Sequence, residues 1–265
     1  MKKTEVLMLN LALSGCCGKL CRAVAEYIQT QADIRVFCGI DPGHTLPGVT
    51  FPFPVFPSFA AVQGAKPEVI LDCSHPKALP GLLEYALREH IPAVVATTGY
   101  GETEFQLLDQ AAKHIPVFYS ANMSLGIQLL KELAQKAARV LGESFDIEIV
   151  EAHHNQKIDA PSGTAYLLAD AVNKALAAPR DYEFNRQAKR EVRKKSEIGF
   201  HAIRGGTIVG EHSVIFAGFD EVITLTHSAG SKRLFAAGCV AAVRFVLDKP
   251  AGRYGMEDLV QLCCE

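Results

Sequence analysis

The segment VLMLNLALSGCCGKL, residues 6–20, decides the fold. Residues 6–13 are apolar except for Asn10. A short apolar run without alternation reads as a strand buried on both faces, as in a parallel sheet. Ser14 and the glycines at 15 and 18 make a turn, and residues 19–30 then carry Leu20, Val24, Ala25 and Ile28 at helical spacing. Strand, glycine turn and helix in that order open a nucleotide-binding βαβ unit. The rival reading is an export signal, since Lys2 and Lys3 precede the run and Leu13-Ser14-Gly15-Cys16 resembles a lipoprotein cleavage box. Glu5 and Asn10 leave an apolar core near the short end for that, and the later segments need the strand.

Working outward, the alternation continues. Strands are expected at 34–40, 69–73, 93–96 and 117–119, and helices at 79–89 and 102–113. Residues 42–58, rich in Pro, Gly and Phe, read as a loop with little regular structure. This is a parallel sheet covered on both faces. After Asn122 the pattern changes. Helices at 126–141 and 162–176 flank a strand at 146–152, and short alternating runs follow at 199–204, 208–216 and 222–227. These predict a mainly antiparallel second sheet. A last helix spans 234–247, and a short tail starts at Gly252.

The chain has 265 residues, 49% of them hydrophobic and 21% charged, with a formal net charge of −2. That balance excludes disorder, collagen and coiled coils, and it argues against nucleic acid as the main partner. The basic stretch 186–195 (Arg186, Lys189, Arg190, Arg193, Lys194 and Lys195) reads as a solvated loop or helix face. No stretch is long and apolar enough to span a membrane. The eight cysteines show neither C-x-x-C nor zinc-finger spacing. Most stand in apolar runs and read as reduced thiols of a cytoplasmic protein.

Two groups of residues carry chemistry. The first is a set of polar turns after successive strands: Gly15-Cys16-Cys17-Gly18 with Lys19 and Leu20, then Asp41, Ala96-Thr97-Thr98-Gly99, and Ser120-Ala121-Asn122. The full G-x-G-x-x-G pattern is not met. In open α/β sheets, however, ligands bind where such turns converge. Glycines admit a pyrophosphate to the helix N-terminus, and Asp41 is placed to hold ribose hydroxyls. Alternatively, Asp41 only opens an Asp-Pro-Gly turn.

The second is EAHHNQKIDAPSGTA, residues 151–165, running from a strand end into a helix. Pro161 suits a helix start, and Ser162-Gly163-Thr164 would offer N–H groups and hydroxyls to a carboxylate. His153, His154 and Lys157 add proton donors, and alternation along the strand points the two histidines to opposite faces. A zinc site of Glu151, His153 and His154 fits no metal motif, and a Ser162 nucleophile lacks G-x-S-x-G. A purely structural cap by Asp159 or Ser162 is the plain reading.

The pattern E-A-H-H-x-x-K-x-D-A-P-S-G-T-A resembles the signature of the 4-hydroxy-tetrahydrodipicolinate (formerly dihydrodipicolinate) reductase family. Gly199-Phe200, Arg204-Gly205-Gly206 and Gly210-Glu211-His212 fall in matching order, so the resemblance covers about residues 5–262. It implies an α/β fold: a Rossmann-type dinucleotide-binding domain, 1–126 plus 239–265, and an α+β mixed-sheet substrate and oligomerisation domain, 127–238, in a homotetramer. It also implies reduction of a cyclic dicarboxylate with NADH or NADPH in the diaminopimelate route to lysine. His153 would be the proton donor/acceptor and Lys157 the proton donor. His154, Ser162, Gly163 and Thr164 would meet the substrate carboxylates. Residues 15–20, Asp41, Ala96, Thr97, Thr98, Ser120, Ala121, Asn122 and Met123 would hold the cofactor. The nicotinamide carries the redox step, so no metal is required.

Several positions depart from the family pattern. Lys19 stands for an arginine, Cys21 for a glycine, Pro42 for a frequent arginine, Ala96 for a glycine and Met123 for an aromatic. Lys232 falls where an arginine is common. With Pro42 after Asp41, NADH is expected to serve at least as well as NADPH. The competing readings are another two-domain dehydrogenase of the aspartate pathway, which would not need the His-His-x-x-Lys loop, and a non-catalytic relative, which would have lost His153 or Lys157.

Overall fold

The computed structural model describes residues 8–43, 50–64 and 66–262. Two compact units emerge, Met1–Ser124 with Lys232–Glu265, and Leu125–Ser231. The start of the expected first strand, residues 6 and 7, and the adjacent cysteines 263 and 264 lie outside the described residues.

In chain order the first unit has β1 (Leu9–Ser14), α1 (Lys19–Ile28), β2 (Ile34–Ile40), β3 (Val55–Phe56), β4 (Val69–Asp72), α2 (Leu79–Glu89), β5 (Ala93–Val95), α3 (Glu102–Ala111) and β6 (Pro116–Tyr119). The second unit has α4 (Leu125–Leu141), β7 (Asp146–His153), α5 (Gly163–Ala175), β8 (Asp181–Glu183), β9 (Glu197–Arg204), β10 (Glu211–Ala217) and β11 (Val222–Ser228). The chain then returns to the first unit with α6 (Arg233–Leu247), β12 (Gly252–Tyr254) and α7 (Met256–Leu262). The return falls at Lys232, ahead of the expected 239, because α6 is one continuous helix whose Ala236, Cys239 and Val243 share a core with Leu11 and Leu13 of β1.

The first sheet runs β12-β6-β5-β4-β1-β2-β3, and its pairings are parallel. Both faces are covered, as the unbroken apolar run of β1 requires. Leu11 and Leu13 face one core, and Ala12 faces another with Leu79, Leu82 and Leu108. Each buried leucine contributes roughly 1.5–3 kcal/mol of transfer free energy. In α1 the buried stripe is Cys21, Val24 and Ile28. Two strands were not expected. β3 lies within the presumed loop 42–58 and β12 within the presumed tail, which also forms α7. Strands of two or three residues carry no periodicity to read.

The second sheet corrects the expectation of mainly antiparallel pairing. Its order is β11-β10-β7-β9-β8. β10 pairs antiparallel with β7 and β11, but β9 is parallel to both β7 and β8. The cause is α5, which crosses over between β7 and the next strands and returns the chain in the same direction. α4 and α5 cover one face through Ile127, Leu130, Leu168 and Val172. The basic stretch is not simply solvated. Arg193 bonds Asp146 and Glu148 at 2.8 Å and the carbonyls of Ile147 and Glu197, and Arg186 bonds Glu197 at 3.1 Å. No helix among the described residues is long and apolar enough to cross a membrane.

Gly238 in α6 allows close approach to the segment before α4. A Cβ there would lie 1.7 Å from the Met123 carbonyl oxygen. Overpacking against backbone costs about 3 kcal/mol, so Gly238→Ala is expected to lower the melting temperature by about 10 °C. An unchanged melting curve would show that the helix can move aside at no cost.

Candidate active site

In the first unit, register aligns the strand ends. Ser14 pairs with Ile40 and with Asp72, Asp72 with Val95, and Val95 with Tyr119. The residues that follow these strands therefore gather at the C-terminal edge of one sheet, the ligand edge of open α/β folds. Gly15 has φ +81°, and a Cβ on it would lie 2.8 Å from Ser74 Cα, so the turn is pressed against the loop after β4. Its N–H donates to Ile40 O at 2.8 Å. Gly18 caps α1 without a side chain, and Lys19 is exposed on the first helical turn. Asp41 does open its turn, accepting from Gly43 N–H at 2.8 Å, but its other oxygen accepts from Cys17 N–H at 3.0 Å. The carboxylate is thereby tied to the glycine turn.

A cleft of about 780 Å³ opens here, lined among others by Gly15, Gly18, Asp41, Pro42, Cys73, Ser74, Lys77 and Arg88. That volume suits a nucleoside-sized group. A glycine turn with no room for a Cβ and a carboxylate on the wall are features a dinucleotide site requires, so these residues fit the cofactor. Cys16 and Leu20 instead pack into the core beneath the turn. Cys21 Sγ donates to Ser14 O at 3.3 Å. Ala96 and Thr97 are buried at the sheet edge, and Thr98 is exposed. Ser120 Oγ donates to Asn122 O at 2.8 Å, Asn122 Oδ1 accepts from Ser124 N–H at 2.9 Å, Ala121 is exposed, and Met123 is buried. None of residues 96–98 or 120–123 lines the cleft.

Sequence reasoning missed Asp72 and the loop after β4. Asp72 is fully buried and accepts from Ser74 Oγ at 2.5 Å and Thr97 Oγ1 at 2.6 Å. Thr97 Oγ1 in turn accepts from Ser74 N–H at 2.8 Å. Burial pushes the Asp72 carboxyl above the usual range, although these hydrogen bonds oppose it. The available signal was position, since this acid ends a parallel strand at the ligand edge.

In the second unit the chemistry grows out of the alternation in β7. Ile147, Ile149, Glu151 and His153 are its buried row, so an apolar stripe turns polar at the strand's C-terminal end. A carboxylate buried to 1% exposure must be surrounded by donors. Arg204, the register partner of His153 on β9, supplies two, to Oε1 at 2.7 Å and Oε2 at 2.9 Å. Ser162 N–H supplies a third at 3.1 Å, and His153 Nδ1 lies 2.5 Å from Oε2. Burial works against ionisation of Glu151, but Arg204 and His153 outweigh it and hold the carboxyl below its usual range.

Glu151 thus fixes the His153 ring through Nδ1 and leaves Nε2 outside this pair. A Cβ on Gly210 would lie 3.1 Å from that Nε2, so glycine leaves its surroundings open. His212 sits across from Glu151 on β10, packs edge-on against His153 with ring centres 5.1 Å apart, and bonds Ser162 Oγ at 2.8 Å. Ser162 Oγ also caps α5 by accepting from Ala165 N–H. Ser162 is therefore a buried cap, and Pro161 precedes the helix instead of opening it. Gly163 and Thr164 form the first turn. Lys157 pairs with Asp159 at 2.9 Å and is half-buried, as is His154 beside the buried His153. In the sequence Glu151 reads only as a metal ligand, and Arg204 and His212 only as parts of a motif. What brings them together is strand register.

A parallel nucleotide-binding sheet and a unit with a buried, carboxylate-fixed histidine, joined in one chain, define an NAD(P)-dependent oxidoreductase. Residues 9–123 match the family model described as dihydrodipicolinate reductase, N-terminus, and residues 126–260 the C-terminus of the same family. The chain belongs to the dihydrodipicolinate reductase family. It is 48% identical over 257 residues to a 4-hydroxy-tetrahydrodipicolinate reductase of Caldanaerobacter subterraneus subsp. tengcongensis, covering 96% of this chain and 99% of that protein. A protein of the same name from Clostridium tetani is 41% identical over 251 residues, covering 95% and 96%. The fold matches the dipicolinate-bound dihydrodipicolinate reductase of Paenisporosarcina sp. TG-14 with TM-score 0.78 at 23% identity, over 95% of this chain and 99% of that one.

Burial, with His153 nearby, pushes His212 down from 6.5 to about 4. Between those values the unfolded chain binds the proton and the folded chain does not, so stability falls as pH drops through this window. The loss attributable to His212 is about 3 kcal/mol at most. His212→Asn is expected to flatten the dependence of unfolding free energy on pH from about 6.5 to 4. Equal slopes in denaturant titrations of both proteins would contradict this.

Proposed function

We propose that the chain reduces 4-hydroxy-tetrahydrodipicolinate to tetrahydrodipicolinate with NADH or NADPH, in the diaminopimelate route to lysine. The observation that carries this reading is the single segment 151–165, in which His153 is fixed by Glu151 and followed by Lys157 and the α5 N-terminus. The reduced nicotinamide, when bound by the first unit, supplies the hydride. The protein's own residues do the rest. His153 delivers a proton from Nε2 while Glu151 holds Nδ1, so the ring keeps its orientation before and after the transfer. Lys157 Nζ, exchanging Asp159 for substrate, is the second donor; in the net step one hydride and one proton enter and the 4-hydroxyl leaves as water. His154 and the first turn of α5, Gly163 and Thr164, attract the two carboxylates. Ser162 contributes by positioning, through its cap and its bond to His212.

For the cofactor, Gly15, Cys17, Gly18 and Lys19 take the pyrophosphate and Asp41 the adenosine ribose. Thr97, Thr98, Ser120 and Asn122 lie along the same sheet edge toward the nicotinamide. The domain roles follow: 1–126 with the C-terminal return for the dinucleotide, and the intervening part for substrate and oligomerisation. Exposed apolar residues of β9 and β11, Ile203, Val222 and Ile223, support a homotetramer built on that sheet. Cys16, Cys17, Cys21, Cys38, Cys73 and Cys239 are free thiols, which supports a cytoplasmic enzyme.

The test is a coupled assay in which the preceding synthase condenses pyruvate with aspartate semialdehyde and loss of reduced nicotinamide is followed. Synthase-dependent oxidation is expected. His153→Ala and Lys157→Ala should each lower kcat by about 10²–10⁴-fold, and Glu151→Gln by about 10²-fold through misplacement of His153. Dinucleotide affinity should hold in all three. Unchanged turnover in His153→Ala would remove it from the mechanism.

The same assay sets cofactor choice. Asp41 repels a 2′-phosphate and Pro42 supplies no cation, so kcat/KM with NADH should at least equal that with NADPH. Asp41→Ser should move the ratio toward NADPH. A wild-type ratio strongly favouring NADPH would mean that other cations, such as Lys77 or Arg88 on the cleft wall, dominate.

A further inference from the structure

Dinucleotide binding at a glycine turn uses backbone N–H groups and the helix N-terminus, and needs no thiol. Yet this turn carries two adjacent cysteines, and the alignment of β1 with β2 brings a carboxylate to them. Cys16 Sγ, Cys17 Sγ and an Asp41 carboxylate oxygen all lie within 4.8 Å of one another. Zinc binds thiolate sulfur at about 2.3 Å and carboxylate oxygen at about 2.0–2.2 Å, so ligands sharing one tetrahedral ion stand roughly 3.5–4 Å apart. The three donors need only a small contraction to meet a cation.

The site is also held in place before any ion arrives. Asp41 accepts from Cys17 N–H and from Gly43 N–H, which orients the carboxylate over the turn as outer hydrogen bonds orient metal ligands. Cys16 Sγ occupies the space left by Gly39, where a Cβ would approach it to 2.6 Å. The donors are unequally exposed. Cys16 is buried, while Cys17 and Asp41 are half-buried, so an ion enters from the turn's open side. Two thiolates with one carboxylate select a soft divalent cation of the zinc or cadmium kind over magnesium or calcium.

We propose that Cys16, Cys17 and Asp41 form a three-ligand site for a soft divalent cation, with the fourth position open. The ion and the reduced dinucleotide exclude each other. That second statement rests on placing the cofactor at this turn, because Asp41 cannot serve a ribose and a metal together. Zinc would then inhibit reduction competitively with NADH, and a chelator would restore it.

The experiment is titration of the purified protein, kept reduced by a phosphine, with cadmium or cobalt(II) while thiolate-to-metal charge-transfer absorbance is followed. Wild type should develop the band at a single cation per chain. So should Cys263→Ser/Cys264→Ser, which removes the other adjacent pair. Cys17→Ser should lose the band. Asp41→Asn should weaken the cation by at least about tenfold and covers the case in which Cys17→Ser does not fold. NADH should bleach the band. No band in wild type, or a band kept in Cys17→Ser and lost in Cys263→Ser/Cys264→Ser, overturns the site. NADH binding measured by its own fluorescence separates the two claims. If NADH binds and no band forms, the metal site fails and the cofactor reading stands. If the band forms and NADH binds without disturbing it, mutual exclusion fails and the cofactor lies elsewhere.

Discussion

A carboxylate taken out of water must be surrounded by donors, and this constraint organises both units. Asp72 ends a central strand of the first sheet and Glu151 nears the end of the central strand of the second, and both are buried. Leaving either charge uncompensated would cost several kcal/mol. Each carboxylate therefore dictates the loops around it. Asp72 takes the hydroxyls of Ser74 and Thr97, which pins the loops after β4 and β5 to one another. Glu151 takes Arg204, Ser162 and His153, which fixes a neighbouring strand, a helix start and the His153 ring at once.

Function follows from what these buried charges leave over. In the second unit one ring nitrogen of His153 is committed and the other is kept clear by Gly210. Ser162 satisfies the helix and His212 together, so the hydroxyl closest to a nucleophile in the sequence is the one most fully used in structure. In the first unit the glycine turn is compressed against the β4 loop, with Asp41 bound to it. Two of the positions that depart from the expected pattern, Lys19 and Cys21, sit at the start of the helix after this turn. Cys21 fills the space of a glycine and bonds Ser14, while Cys16 and Cys17 bring thiols to a place where backbone alone is needed.

Much of the architecture was legible from periodicity. Among the described residues, the first expected strand appears as β1 from Leu9 and the helix after Gly18 as α1, and the segment from Glu151 to Thr164 runs from strand to helix as expected. Edge strands β3 and β12 were not legible, because two or three residues cannot display a period of two. The direction of β9 was misread because alternation reports which face a residue takes, while parallel or antiparallel pairing depends on how the chain returns. Arg186 and Arg193 looked like a solvated patch because their acidic partners, Asp146, Glu148 and Glu197, include two that are distant in sequence.

The sequence by itself determined the two kinds of sheet-building segment, the glycine turn, and the inventory of donors at 151–165, since composition and spacing are local properties. Only the tertiary structure decided which of those donors act together. Arg204 and His212 come from residues more than a strand away and reach Glu151 through register with β7. A buried charge is compensated in three dimensions, and its partners are chosen by the strands that happen to lie beside it.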